Sequence, residues 1–244
     1  ALLNARKIRW IPEPVLDAYL NAVLQLRVTH DDLSGLKLVY TPLNGSGREC
    51  VERLCRSLGI QNLTLVSEQA APDGHFPTCP YPNPEIREAM KLAIEKTIAT
   101  GADMCVATDP DCDRIGAGVR QGDTVTLISG NDMGVLLLDY VCSHRKAQKG
   151  ELPPVAVKTI VTTEMAVPIC KKYGVELRMS ALPYEHLRLI AECPGDPKDL
   201  MFCTGSKLLE DFKGRKLIAF GGEWSVGFLT KHNEGLILDD WLSV

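Results

Sequence analysis

The sequence predicts an α/β fold made of two consecutive three-layer domains with mixed sheets. Short apolar runs alternate with longer stretches whose apolar residues recur at helical spacing. Gly, Pro and Asn punctuate the joints between them. The strand–helix alternation then restarts near Ser129, which places one domain over residues 1–129 and a second over 130–244.

Each element follows from its local pattern. Glu13 to Arg27, "EPVLDAYLNAVLQLR", has helical apolar spacing, and Leu36 to Tyr40 reads as a strand that runs into an Asn/Gly-rich turn. "GRECVERLCRSLG" is a helix stopped by Gly59, and "LTLVSEQ" a second strand. Pro72, Pro77, Pro80, Pro82 and Pro84 crowd the next stretch, which excludes a helix there. "PEIREAMKLAIEKTIATG" predicts a helix with Pro84 near its start and Gly101 at its end. "ADMCVAT" is short and apolar, as a buried parallel strand is, and "RIGAGVRQGDTVTLIS" reads as two strands joined at Gln121-Gly122.

In the second round, Asn131 or Asp132 is placed to cap the helix "DMGVLLLDYVCSHRKA". "PVAVKTIVTT", "VELRMSAL" and "KLIAFGG" read as strands, "TEMAVPICKKYG" and "YEHLRLIAEC" as helices.

Composition excludes several classes. The 244 residues are 45% hydrophobic and 24% charged, those of a globular protein. A net charge of −4 gives no electrostatic case for nucleic acid. No apolar run reaches the roughly 18 residues of a membrane span, and the N-terminal residues lack a signal-peptide pattern, so the expected location is cytoplasmic. The nine cysteines are scattered, without a Cys-x-x-Cys pair, and read as free thiols in a reducing compartment. The first residue is Ala1, and the chain reads as a piece cut from a longer protein.

The stretch "VATDPDCDRIGAG", Val106 to Gly118, carries the chemistry. Asp109, Asp111 and Asp113 stand at alternate positions after an apolar run, with Arg114 next. In an extended chain alternate side chains share a side, and Pro110 stiffens the loop. Their oxygens could hold a hard cation such as Mg²⁺; a solvated acidic turn balanced by Arg114 is the other reading. The preceding strand delivers the loop to a sheet's carboxyl edge, where α/β proteins bind ligands. An EF-hand is excluded, because its sixth position would be Arg114 and its twelfth Arg120. A haloacid-dehalogenase-type phosphatase would need Asp109 as nucleophile and Thr or Val where Asp113 stands.

"TDPDCDR" resembles the metal loop of the α-D-phosphohexomutase (phosphoglucomutase/phosphomannomutase) superfamily. "VYTPLNGSG", "PDGHFPTCPYPNPE" and "SGNDMGVLLLDY" resemble that family's second domain and the entry to its third; "VKTIVTTEMAVPICKKYGVEL" and "FGGEWSVGFL" resemble the third. The resemblance implies that 1–129 is domain 2 with a preceding linker helix, and 130–244 domain 3. It implies that Asp109, Asp111 and Asp113 bind Mg²⁺, that Arg114 is catalytic, and that Glu223 and Ser225 hydrogen-bond sugar hydroxyls. The implied reaction moves a phosphoryl group between the 1- and 6-positions of a sugar phosphate through a sugar 1,6-bisphosphate. The domains carrying the phosphoserine and the fourth, phosphate-binding loop are then missing parts of the parent chain. The alternative is a metal- or sugar-phosphate-binding fragment with no turnover.

The sequence also departs from the family. No segment resembles its phosphoserine loop: "CSHR", Cys142 to Arg145, ends a predicted helix and lacks Asn-Pro. Pro183, Tyr184 and Glu185 stand where a Gly-Phe-Lys is expected, and "KHNEGLILDDW" replaces the stretch after the sugar loop. Asn44-Gly45-Ser46-Gly47 is either a phosphate cradle or a structural turn, and "CTGSK", Cys203 to Lys207, a helix-start turn. His75, His186 and His232 read as core or surface residues, and Trp224 as a sugar-stacking residue or a loop anchor.

Overall fold

The structure is a computed structural model that describes residues 11–144, 154–159 and 162–180, together with the backbone of strands within 217–239. Five strands form the first sheet: β1 (Lys37–Thr41), β2 (Asn62–Leu65), β3 (Met104–Thr108), β4 (Ile115–Gln121) and β5 (Thr124–Ile128). Their order is β2-β1-β3-β4-β5. β2, β1 and β3 run parallel, while β4 and β5 fold back antiparallel, so the sheet is mixed as expected. Gly122, with φ +61°, supplies the left-handed residue of the tight β4–β5 turn.

Period-2 alternation divides the sheet between two helical layers. Val39, Cys105 and Ala107 face α3 (Lys91–Thr100) through Met90, Ala93 and Ile94. Leu38, Tyr40, Met104 and Val106 face the opposite way, onto Val51 and Cys55 of α2 (Arg48–Ser57). A first helix, α1 (Glu13–Gln25), lies outside α2 and is tied to it by Arg53, which reaches Glu13 at 2.9 Å and Asp17 at 3.4 Å.

Two sequence expectations shift. The α3 helix begins at Lys91, not at Pro84. Asn83 Oδ1 accepts the Glu85 N–H and the Pro84 carbonyl lies against Gly116, so residues 83–90 form turns before the helix starts. The helix α4 (Gly130–His144) is capped by Ser129, not by Asn131 or Asp132. Ser129 Oγ accepts the Asp132 N–H at 3.2 Å and donates to its carboxylate at 2.6 Å, a reciprocal capping arrangement. Asn131 Oδ1 instead accepts the Thr163 N–H at 2.9 Å.

Beyond α4 come β6 (Val155–Thr159), α5 (Ala166–Tyr173), β7 (Glu176–Ser180) and β8 (Leu217–Ala219). β7, β6 and β8 form a parallel sheet in that order. Leu138, Cys142, Ala156, Ala166, Cys170 and Val175 make its core. β9 (Phe228–His232) and β10 (Gly235–Asp239) pair antiparallel. The seven cysteines among the described residues are free thiols, five of them buried. The expected helix "YEHLRLIAEC" and the residues Pro183, Tyr184, Glu185, His186 and Cys203 to Lys207 lie outside the described residues.

Met90 is fully buried between sheet and helix. Met90→Ala should destabilise the fold by about 2–5 kcal/mol through the lost contacts and the residual cavity. Gly116→Ala should cost about 1–3 kcal/mol, because the new Cβ would meet the Pro84 carbonyl oxygen at 2.2 Å. Urea unfolding followed by circular dichroism reads both as lower midpoints at unchanged slope.

Candidate metal and phosphoryl-transfer site

The acidic loop leaves the carboxyl end of β3 and returns into β4 within six residues. Asp109, Asp111 and Asp113 do come together: one carboxylate oxygen of each lies within 4.8 Å of the others. The means differs from the expected extended chain. The loop is a turn, with the Cys112 N–H donating to the Asp109 carbonyl at 3.1 Å and Cys112 itself left-handed at φ +67°. That turn, rather than strand alternation, brings Asp111 and Asp113 back towards Asp109.

The three carboxylates differ in environment. Asp109 is fully buried; Asp111 and Asp113 are exposed. A buried carboxylate needs its charge and lone pairs satisfied. Arg114 does both: its backbone N–H donates to Asp109 Oδ1 at 2.9 Å and its Nε to Oδ2 at 2.7 Å. Arg114 Nε also lies 3.6 Å from Asp113. Among the described residues neither Nη of Arg114 has a hydrogen-bond partner, so the far edge of the guanidinium remains free for an anion.

Around this loop the chain is tightly fitted. A Cβ on Gly45 would stand 2.3 Å from Pro110 Cα, and Ser46 N–H donates to the Pro110 carbonyl at 2.9 Å. The Asn44 and Gly45 N–H groups go to the carbonyls of Gln69 and Pro42. These three amides of the Asn44–Gly47 turn are therefore engaged within the protein, as a structural turn requires and a phosphate cradle does not allow.

Glu85 is a site neighbour that sequence reasoning passed over. Its carboxylate sits beside Gly130 at the start of α4, half-buried. Burial raises its pKa, and the nearby Arg114 charge lowers it in part. Its only sequence signal was an acid directly after the last of five prolines. Burial also raises the Cys112 thiol, which the Thr108 hydroxyl partly offsets. His75 is exposed, and Ser143 of "CSHR" donates to the Tyr140 carbonyl at the end of α4. Glu223, Trp224 and Ser225 lie outside the described residues, as does the side chain of His232.

Comparison with known proteins decides what this arrangement belongs to. Residues 17–122 match the family described as phosphoglucomutase/phosphomannomutase, alpha/beta/alpha domain II. The chain belongs to the α-D-phosphohexomutase superfamily. It is 29% identical over 193 residues to a phosphoglucomutase of Staphylococcus haemolyticus, a match covering 79% of this chain and 34% of that protein. It is 30% identical over 172 residues to a phosphomannomutase of Mycoplasmoides pirum, covering 70% of this chain and 31% of the relative. The chain thus spans about a third of the length of these two relatives. Its fold is similar to a phosphoglucomutase/phosphomannomutase family protein of Burkholderia thailandensis, with a TM-score of 0.60 at 22% identity, over 88% of this chain and 39% of that one. A putative phosphomannomutase of Thermus thermophilus is similar at a TM-score of 0.56 and 22% identity, over 91% of this chain and 43% of its own.

The Asp109–Arg114 pair makes a direct test of the site's electrostatics. Arg114→Met should destabilise the chain by about 1.5–3 kcal/mol, the range for hydrogen bonds to charged groups. Partial exposure of Arg114 keeps it below the range for a wholly buried pair. A double-mutant cycle with Asp109→Asn should return a coupling above about 1 kcal/mol; additive effects would deny the pairing.

Proposed function

We propose that this chain supplies the metal-binding and part of the sugar-recognition machinery of a phosphohexomutase. The enzyme would interconvert the 1- and 6-phosphates of a sugar through a sugar 1,6-bisphosphate. The observation that carries this reading is the convergence of three carboxylates and one arginine at the carboxyl edge of the β2-β1-β3 strands, in a chain of this family.

The donor set fits a hard divalent cation. Three carboxylates on one short turn provide oxygen ligands only, and Mg²⁺ accepts such a set while keeping positions for water and a phosphate oxygen. Asp109, Asp111 and Asp113 would hold it; once bound, it would neutralise charge on the phosphoryl oxygens. Arg114 would add to this from its unengaged Nη edge, its orientation fixed in advance by Asp109. Such pre-orientation costs nothing at the moment of transfer, which is where electrostatic stabilisation acts. Glu223 and Ser225 would bind sugar hydroxyls, as the resemblance of "FGGEWSVGFL" implies.

We assign residues 1–129 and 130–244 to the second and third domains of the parent enzyme, with the phosphoserine and fourth-domain loops elsewhere in it. A cytoplasmic location accords with this reading; no described helix is long and apolar enough to cross a membrane. The phosphatase alternative meets an obstacle in Asp113, which stands where that chemistry wants Thr or Val.

Two outcomes are expected. Titration calorimetry should show weak Mg²⁺ binding that largely disappears in Asp111→Ala, and equal affinity in that variant would remove the metal assignment. A polypeptide of these 244 residues should show only background turnover of glucose 1-phosphate or mannose 1-phosphate, even with Mg²⁺ and a bisphosphate activator. Phosphoryl transfer needs donor, metal and acceptor held in one site, and no serine here stands in a donor context. Robust turnover in a coupled assay, abolished by Arg114→Ala, would reveal a donor within these residues.

A further inference from the structure

Cys112 is a non-glycine residue in the left-handed region, at φ +67°. That conformation is unfavourable for an L-residue, so the surrounding structure must hold it there. Asp111 and Asp113, on either side, are exposed, and their direction is set mainly by the backbone that Cys112 turns.

The hold is visible beneath the loop. A Cβ built on Gly47 would meet Cys112 Sγ at 2.6 Å, Thr108 Oγ1 at 2.8 Å and Tyr40 Oη at 2.8 Å. Three side chains therefore converge on the bare Cα of Gly47. The Tyr40 and Thr108 hydroxyls are hydrogen-bonded at 2.8 Å, and both residues are fully buried. They stand on β1 and β3, adjacent parallel strands in fixed register, so the floor of this slot is rigid. Gly47 closes its side, at the residue preceding α2.

We propose that Gly47 and the Tyr40–Thr108 hydroxyl pair are positioning residues for the acidic loop, seating the Cys112 side chain so that its left-handed backbone aims Asp111 and Asp113 at the oxygens of Asp109. This rests on the metal-site reading above for its functional consequence, though not for its geometry. None of the three touches substrate or metal; each acts through Cys112. The slot differs from the neighbouring contact at Gly45, where an added Cβ would strike Pro110 backbone atoms. Backbone cannot retreat without moving the loop. At Gly47 the obstruction is side-chain atoms, so removing the nearest, Cys112 Sγ, should relieve its tightest part.

That distinction gives the test, on the 244-residue chain, with Mn²⁺ as the probe read by electron paramagnetic resonance and amide hydrogen exchange read by NMR. Gly47→Ala should weaken Mn²⁺ binding by about 10- to 100-fold, the range for outer-shell partners of metal ligands. It should also speed exchange of the Cys112 and Arg114 amides, which are bonded to Asp109 in the native loop. Adding Cys112→Gly to Gly47→Ala should recover part of both, because glycine removes the nearest obstruction and adopts positive φ freely, while the Thr108 and Tyr40 hydroxyls still crowd the new methyl and the seated side chain is gone. Tyr40→Phe keeps the ring and removes only the hydroxyl; it should weaken Mn²⁺ severalfold with the rest of the exchange pattern unchanged, and it decides the matter if Gly47→Ala does not fold. Unchanged loop exchange in Gly47→Ala, a loss that Cys112→Gly leaves wholly unrelieved, or wild-type Mn²⁺ affinity in Tyr40→Phe would overturn the proposal. Absence of Mn²⁺ binding in the wild type would remove the metal reading instead, and the exchange data would still decide the positioning.

Discussion

A fully buried carboxylate at the end of a central strand sets the terms for the whole site. Asp109 has no access to water, so its charge must be met by the protein. Arg114 meets it from five residues along the same chain, through its backbone N–H and its Nε. The pairing closes the loop between β3 and β4 and continues the antiparallel ladder, in which Thr108 stands opposite Ile115. It also decides which edge of the guanidinium faces outwards.

The close fit around the loop follows from that closure. A short turn leaving a central strand has sheet below and neighbouring loops on both sides. Gly45 lies under Pro110, Gly47 beside Cys112, and Gly116 against Pro84. Each is a place where two backbone segments, or a backbone and a side chain, pass too closely for a Cβ. The glycines thus make a socket that fixes the loop from several directions. Precision of this kind suits a site that must hold three like charges within a few ångströms of each other.

The fold was legible where periodicity was clean. The apolar runs at 36–40 and 104–108 and the helices at 13–25 and 48–57 read correctly because alternation and helical spacing are direct images of burial. The start of α3 was misplaced because Pro84 is a good first-turn residue anywhere; only the packing of its carbonyl on Gly116 shows that it belongs to a turn. The cap of α4 was misplaced by two or three residues because Ser129, Asn131 and Asp132 are all competent caps, and tertiary contact with Thr163 takes Asn131 elsewhere. At the site, the grouping of the three aspartates beside Arg114 was expected from residue type, but through an extended chain and not the turn that brings it about. The inequality of the aspartates was not, because burial is set by the folded surroundings of the loop, such as the Gly45–Ser46 turn against Pro110, and not by residue type. The Tyr40–Thr108–Gly47 slot left no local signal, since its members come from three separate elements.

The charge balance of the site narrows what can approach it. Asp109, Asp111, Asp113 and nearby Glu85 bring four acids to one arginine. Arg114 is largely committed to Asp109, so Asp111 and Asp113 face solvent with little compensation. Like charges at about 4 Å repel by about 1 kcal/mol in water and by several times that where solvent is excluded. Such a surface favours a cation over an unaccompanied phosphate on electrostatic grounds, in line with the metal binding proposed above. Under the proposed metal assignment, a divalent cation would cancel the two charges of the outer rim and leave the free edge of Arg114 as the positive group beside it. The same acids that would repel a phosphoryl group in the bare loop are then what hold the charge that attracts it. On the proposed reading, the anion would arrive together with, or after, a metal ion, and the arginine that would meet it is held in place by the carboxylate buried behind it.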